Sequence, residues 1–227
     1  MALVTMFDGR GRPDVGATAE RAQACVARGI GFVLVAGTTG EAWRLDVDDR
    51  IALASAVKRA IGASPVLVGT GDPVAARALS TTRALTDADV ADGLLVLSPG
   101  DRDPLDFYRA VRDEAPDATL LAYHVPTVSP PGVPTSLVPS LPVDGIKDSS
   151  GSADRLAELL TNRAEVYVGS ANLLTLAGHC DARGAIVAMA NLSPELCTSA
   201  WNGDIEAQVE LMRMHTSSMA EFPQRFK

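Results

Sequence analysis

The sequence predicts an α/β fold, a (β/α)8 TIM barrel, on three observations. Short apolar runs rich in Val, Ile and Leu recur eight times, and helical spacing fills the intervals. All of it fits in 227 residues, within the roughly 200 to over 400 residues of single barrels. Runs that are apolar at nearly every position suit parallel strands covered on both faces rather than one-sided antiparallel ones. An open doubly wound sheet accommodates the same units, because pattern alone does not decide closure.

In chain order the candidate strands are 2–7, 31–36, 65–70, 93–98, 119–125, 143–148, 165–170 and 184–190. The first connecting helix, 14–29, opens on Asp14 as N-cap and stops at Gly29; the next, 46–61, opens on Asp46 and stops at Gly62. Helices are also expected at 73–86, 104–114, 152–162, 171–178, 194–201 and 204–219. Pro130, Pro131, Pro134, Pro139 and Pro142 crowd residues 126–142, so only a short helix fits there, near 134–140. No linker, charge block or low-complexity stretch divides the chain. Residues 1–203 are expected to form the barrel and 204–227 a C-terminal helical segment.

With 47% hydrophobic and 21% charged residues, the composition is that of a globular protein and not of a disordered one. A net charge of −8 argues against a nucleic-acid surface. Cys25, Cys180 and Cys197 are too few and too scattered for a disulfide framework or zinc ribbon, which predicts buried thiols in a reducing cytoplasm. Met1 to Phe7 lacks the basic region and long apolar run of a signal peptide, and no stretch approaches the ~18 apolar residues of a membrane span. His124, His179 and His215 show no ligand spacing, so no metal centre is expected.

Polar residues gather where the strands end, which in a barrel is where the site lies. Gly37-Thr38-Thr39-Gly40-Glu41 follows the second run, Tyr123 ends the fifth, and Lys147 ends the sixth, within Gly145-Ile146-Lys147-Asp148-Ser149. A lysine amine attacks a carbonyl only when unprotonated, and at the ordinary pKa of ~10.4 fewer than about one in a thousand qualifies at pH 7. Burial at an apolar strand end disfavours the ammonium form and enlarges that fraction. Attack on a 2-keto acid such as pyruvate gives a protonated imine, an electron sink for making or breaking the adjacent carbon–carbon bond.

Tyr123 is then expected to shuttle protons and Thr38 to relay them, while Thr39 and nearby backbone N–H groups hold the carboxylate. Gly37, Gly169 and Ile186 complete the expected pocket. The expected small-molecule partners are a 2-keto acid such as pyruvate and an aldehyde. The plainer alternatives are a lysine that snorkels to solvent, a core tyrosine with its hydroxyl paired, and threonines in a simple turn. Convergence of all three on one mouth favours the chemical reading.

The segments VAGTTGEA (35–42), VGTG (68–71), YHVP (123–126), GIKDSS (145–150) and GAIVAMANLSPE (184–195) resemble the dihydrodipicolinate synthase and N-acetylneuraminate lyase family. The resemblance runs from about residue 3 onward. It implies a class I, cofactor-free, pyruvate-handling lyase on a (β/α)8 barrel, with Lys147 as Schiff-base residue and Tyr123 as proton shuttle. It also implies a homo-oligomer, a tetramer or dimer.

Two departures bear on the substrate. Where dihydrodipicolinate synthases carry an arginine two places beyond Tyr-x-x-Pro, this chain has Val128; where they carry paired tyrosines after the fourth strand, it has Pro99-Gly100-Asp101. Both point to cleavage or formation of a 2-keto-3-deoxy sugar acid. The alternatives are dihydrodipicolinate synthase proper, acting on pyruvate and aspartate semialdehyde, and a catalytically inactive keto-acid-binding homologue. His124 stands where an asparagine is common, and strand alternation points it away from Tyr123, under the helix layer. Family members continue into further C-terminal helices, so 204–227 reads as a shortened extension.

Overall fold

In the computed structural model, which describes residues 1–219 and 221–227, seven parallel strands form one sheet in strict chain order. They are β1 (Val33–Val35), β2 (Val66–Gly69), β3 (Gly93–Leu97), β4 (Leu120–His124), β5 (Gly145–Asp148), β6 (Val166–Val168) and β7 (Gly184–Ala185). Successive side chains point to opposite faces of a strand, and here both faces find apolar cover. Leu34, Leu67, Leu95, Leu121 and Tyr123 join a small inner cluster, whereas Val33, Val66, Val96, Leu120 and Ile146 join the large core beneath the helices. Burying a side chain of this size contributes roughly 1.5–3 kcal/mol, so the uninterrupted apolar runs are what a sheet curled around an inner layer requires.

The crossover helices are α1 (Val15–Ala27), α2 (Val47–Ile61), α3 (Ala75–Asp87), α4 (Pro104–Glu114), α5 (Ala153–Thr161), α6 (Leu174–His179) and α7 (Pro194–Trp201), followed by α8 (Ile205–Met219). Their starts are chemical. The Asp14 carboxylate accepts the Ala17 N–H at 2.9 Å, and Asp46 and Asp49 exchange side-chain-to-backbone bonds in a capping box. The proline-crowded connection holds only a 3-10 helix, Thr135–Ser140. The helix expected at 171–178 divides into a 3-10 turn, Ala171–Leu173, and α6.

The apolar run 2–7 is not a strand. It makes single bridges, Ala2 to Leu34 and Phe7 to Pro13, because side chains take the backbone groups a ladder would use. Asn191 Oδ1 accepts the Val4 N–H at 3.1 Å and Thr18 Oγ1 accepts the Met6 N–H at 3.0 Å. The expected strand 184–190 likewise shortens to β7 and then turns into a 3-10 helix at Ala188–Asn191. Of the thiols expected to be buried, Cys25 and Cys197 are, whereas Cys180 is exposed. Among the described residues no helix is long and apolar enough to cross a membrane.

Candidate active site

Strand register builds the site. β4 pairs with β5 through Tyr123 and Lys147, β3 with β4 through Leu97 and Tyr123, and β5 with β6 through Lys147 and Tyr167. Residues opposite each other in a parallel ladder share a face, so these side chains form one inward layer. Lys147 is 3% exposed, with Nζ 4.3 Å from the centroid of the Tyr123 ring, over the face that attracts a cation. The Tyr123 hydroxyl lies 3.3 Å from Thr38 Oγ1. Burial pushes the Tyr123 phenol up, but the charge of Lys147 and hydrogen bonds from Thr38 and Ser149 outweigh it, leaving the pKa below the ordinary value.

One residue further along each strand the side chains point the other way. Asp148 ion-pairs with Arg155 of α5 and accepts the Ser150 N–H at 2.9 Å; Arg155 also donates to the Val133 carbonyl at 2.6 Å. His124 is buried, as strand alternation required, and its Nδ1 accepts the Val133 N–H at 3.0 Å. Burial and Arg155 hold the imidazole below its usual pKa against the pull of Asp148. This outer network clamps the ends of β4 and β5, and so the spacing of the groups on their inner face.

The threonine turn is held from three sides. The Thr5 hydroxyl donates to the Gly40 carbonyl at 2.7 Å. The buried Arg50 guanidinium donates to the carbonyls of Ala42 at 2.8 Å and Gly69 at 2.5 Å. Glu41, at a left-handed φ of 55°, is buried and ion-paired to Arg44 at 3.0 Å and to Lys227. Gly69 is required here, because a Cβ would lie 2.9 Å from the carbonyl carbon of Ala36.

A cavity of about 620 Å³ opens over this layer. Thr38, Thr39, Tyr123, Lys147, Gly169 and Ile186 all line it, so the structure brings these expected residues together. Gly37 lines an adjoining cavity of about 80 Å³ that shares Thr38 and Tyr123. Gly169 sits so close to Ser149 that a Cβ would meet its Cα at 3.0 Å.

Sequence reasoning missed Ser149, Trp43, Asn172, His215 and Phe222, which also line the larger cavity. Ser149 was legible within the GIKDSS segment. His215 and Phe222 carried no signal, since only packing brings the end of the chain to the mouth. Asn191 donates to the Ala2 carbonyl at 2.7 Å and ties the first segment down. Asp101, in the Pro99-Gly100-Asp101 turn, accepts the Ala75 N–H at 3.2 Å and caps α3, whose own N-cap residue Val74 offers no side-chain acceptor. No cluster of histidine, cysteine or carboxylate side chains among the described residues is arranged to hold a metal ion.

Comparison with known proteins gives a consistent result. The model of the dihydrodipicolinate synthetase family matches residues 1–222. A 4-hydroxy-tetrahydrodipicolinate synthase of Acidithiobacillus ferrooxidans is 31% identical, over 90% of this chain and 75% of its own length. Among solved structures, a prophage protein of E. coli K12 from the dihydrodipicolinic acid synthase family, in complex with pyruvate, superposes with a TM-score of 0.88 at 20% identity, covering 99% of this chain and 83% of that one. The KD(P)GA of T. tenax superposes with a TM-score of 0.81 at 24% identity, covering 92% and 77%.

Proposed function

We propose, because this chain belongs to the dihydrodipicolinate synthetase family, that Lys147 is the Schiff-base residue of a lyase acting on a 2-keto-3-deoxy sugar acid or a similar aldol of pyruvate. Members of the family are class I lyases that join pyruvate to a lysine, and this chain is an enzyme of that class. The reading is carried by one observation, a buried lysine whose Nζ lies 4.3 Å from the ring of a tyrosine on the neighbouring strand.

In the condensing direction the Lys147 nitrogen attacks the keto carbon. Tyr123 passes the amine proton to the oxygen, and loss of water leaves a protonated imine. The Tyr123 phenolate, left by protonating the departing hydroxyl, takes a methyl proton to give an enamine, whose carbon attacks the aldehyde carbon while the restored phenol protonates the new alkoxide. Water adds back to the imine carbon and releases product and amine. Thr38 relays the Tyr123 proton, Thr39 holds the carboxylate with backbone N–H groups, and Gly37, Gly169 and Ile186 leave room for the keto acid. Pyruvate with sodium borohydride should add a stable mass to Lys147. Absence of that adduct, or labelling that survives Lys147→Ala, overturns the assignment.

A second reading, condensation of pyruvate with aspartate semialdehyde, is favoured by the names of the similar relatives. Against it, the mouth presents Val128, 45% exposed, where a guanidinium would be needed to hold the second carboxylate. A screen of 2-keto-3-deoxy acids against aspartate semialdehyde decides between them, and turnover of the semialdehyde alone would reverse the choice.

The same reading includes a closed (β/α)8 ring over residues 1–203, with 204–227 as a C-terminal helical segment. It is supported by the Ala2 N–H donating to the Val187 carbonyl at 3.1 Å and by Asn191 bonding both Ala2 and Val4. It also includes a cytoplasmic homo-oligomer, supported by free thiols at Cys25, Cys180 and Cys197 and by the exposed Ile205, Val209 and Met212 on one face of α8. A single-subunit mass by light scattering would refute the assembly.

A further inference from the structure

Lys147 and Tyr123 are occupied by the keto acid in the reading above, and what remains of the cavity mixes apolar and uncharged polar side chains and carries no fixed charge. Its lining contains no arginine, aspartate or glutamate among the described residues. Beyond the reacting groups it offers the side chains of Thr127, Ser150, Ser170, Asn172 and His215. A phosphate or a second carboxylate drawn into such a mouth would lose water without gaining a cation, which is costly. A chain of hydroxyls would exchange water for groups that both donate and accept.

His215 stands apart in this set because it comes from α8, the last long helix. Gln208 fixes that helix to the body: its Nε2 donates to the Ala171 carbonyl at 3.0 Å and its Oε1 accepts the Thr175 N–H at 2.9 Å. Two turns later, on the same face, His215 reaches the cavity that Ala171 and Asn172 also line. The other two histidines are satisfied within the fold, His124 by the Val133 N–H and His179 at the Thr175 carbonyl. The His215 ring has no hydrogen-bond partner among the described residues, and it is half-buried at the mouth. Burial holds it below the ordinary imidazole pKa, which keeps one ring nitrogen as donor and the other as acceptor.

We infer that His215 is a specificity-determining residue of the aldehyde half of the site, hydrogen-bonding a hydroxyl of an uncharged polyhydroxy aldehyde. This rests on the lyase reading and names the substrate class of that same site. The test measures condensation of pyruvate with glyceraldehyde, with glyceraldehyde 3-phosphate and with propanal, in wild type, His215→Leu and His215→Asn. Borohydride trapping of pyruvate alone is measured beside it.

Loss of one neutral hydrogen bond should raise KM for glyceraldehyde roughly 2- to 12-fold in His215→Leu, with partial recovery in His215→Asn. KM for propanal and the trapping of pyruvate should not move, and wild type should prefer glyceraldehyde to its phosphate. An unchanged glyceraldehyde-to-propanal ratio in His215→Leu, or a wild-type preference for the phosphate, overturns the role of His215 while leaving the lyase reading intact. Failure of wild type to trap pyruvate overturns the lyase reading, and this inference with it.

Discussion

Tyr123 and Lys147 sit on paired strands, whereas Val128, Asn172 and His215, across the same cavity, sit on a loop, a 3-10 turn and a late helix. The first pair is held from behind by Asp148, Arg155 and His124, which limits its movement. The second set is backed unevenly: Val128 is 45% exposed, whereas the helix of His215 is tied to the body by Gln208. On the proposed lyase reading, a reaction that requires one geometry and a substrate that differs between relatives are served by different parts of the fold. Positioned strand ends suit the chemistry, and loops tolerate change.

The largest expected effect comes from the strand side. Tyr123→Phe should lower kcat on the order of 10²- to 10⁴-fold, the usual contribution of a positioned proton carrier, for every aldehyde tested and with the borohydride adduct on Lys147 still formed, more slowly. A loss confined to one aldehyde would break the division into halves. Gly169→Ala should force Ser149 aside, at a stability cost of about 1–3 kcal/mol. For a chain of this size that lowers Tm by roughly 2–4 °C per kcal/mol. It should also weaken pyruvate binding whatever the aldehyde; an unchanged Tm and pyruvate KM would show that the strand ends give way more easily than their packing implies.

Val128→Arg tests the other half. It supplies the missing cation at the mouth, so the ratio of aspartate semialdehyde to glyceraldehyde turnover should rise severalfold while pyruvate trapping holds. No change in that ratio would mean the aldehyde is chosen elsewhere.

The smallest effect is on stability against pH. His124 binds its proton in the folded state only below the ordinary imidazole range, whereas the unfolded chain binds it near ~6.5. Between those values the unfolded state holds more protons, so stability should fall as pH falls below ~6.5, with His215 adding in the same direction. His124→Asn should flatten the urea midpoint between pH 7.5 and 5.5, and an undiminished slope would remove His124 from the clamp.

Most of the strand side was legible in the sequence. Apolar runs bounded by capping aspartates located the strands and helices, and position at a strand end was enough to single out Tyr123, Lys147 and Thr38. The run 2–7 misled because its composition is that of a strand, while its backbone partners are the side chains of Asn191 and Thr18. His215 and Phe222 were silent because a residue in a helix or a C-terminal turn says nothing about which mouth that element will cover.

Periodicity and capping chemistry are local properties, carried by residues a few places apart, and they sufficed for the order of most elements and for placing Tyr123 and Lys147 at strand ends. The register that sets Tyr123 beside Lys147, the uncharged rim and the arrival of α8 above it depend on contacts between residues far apart in the chain. Only the packed fold decides these, because each is won by burying one particular face against another.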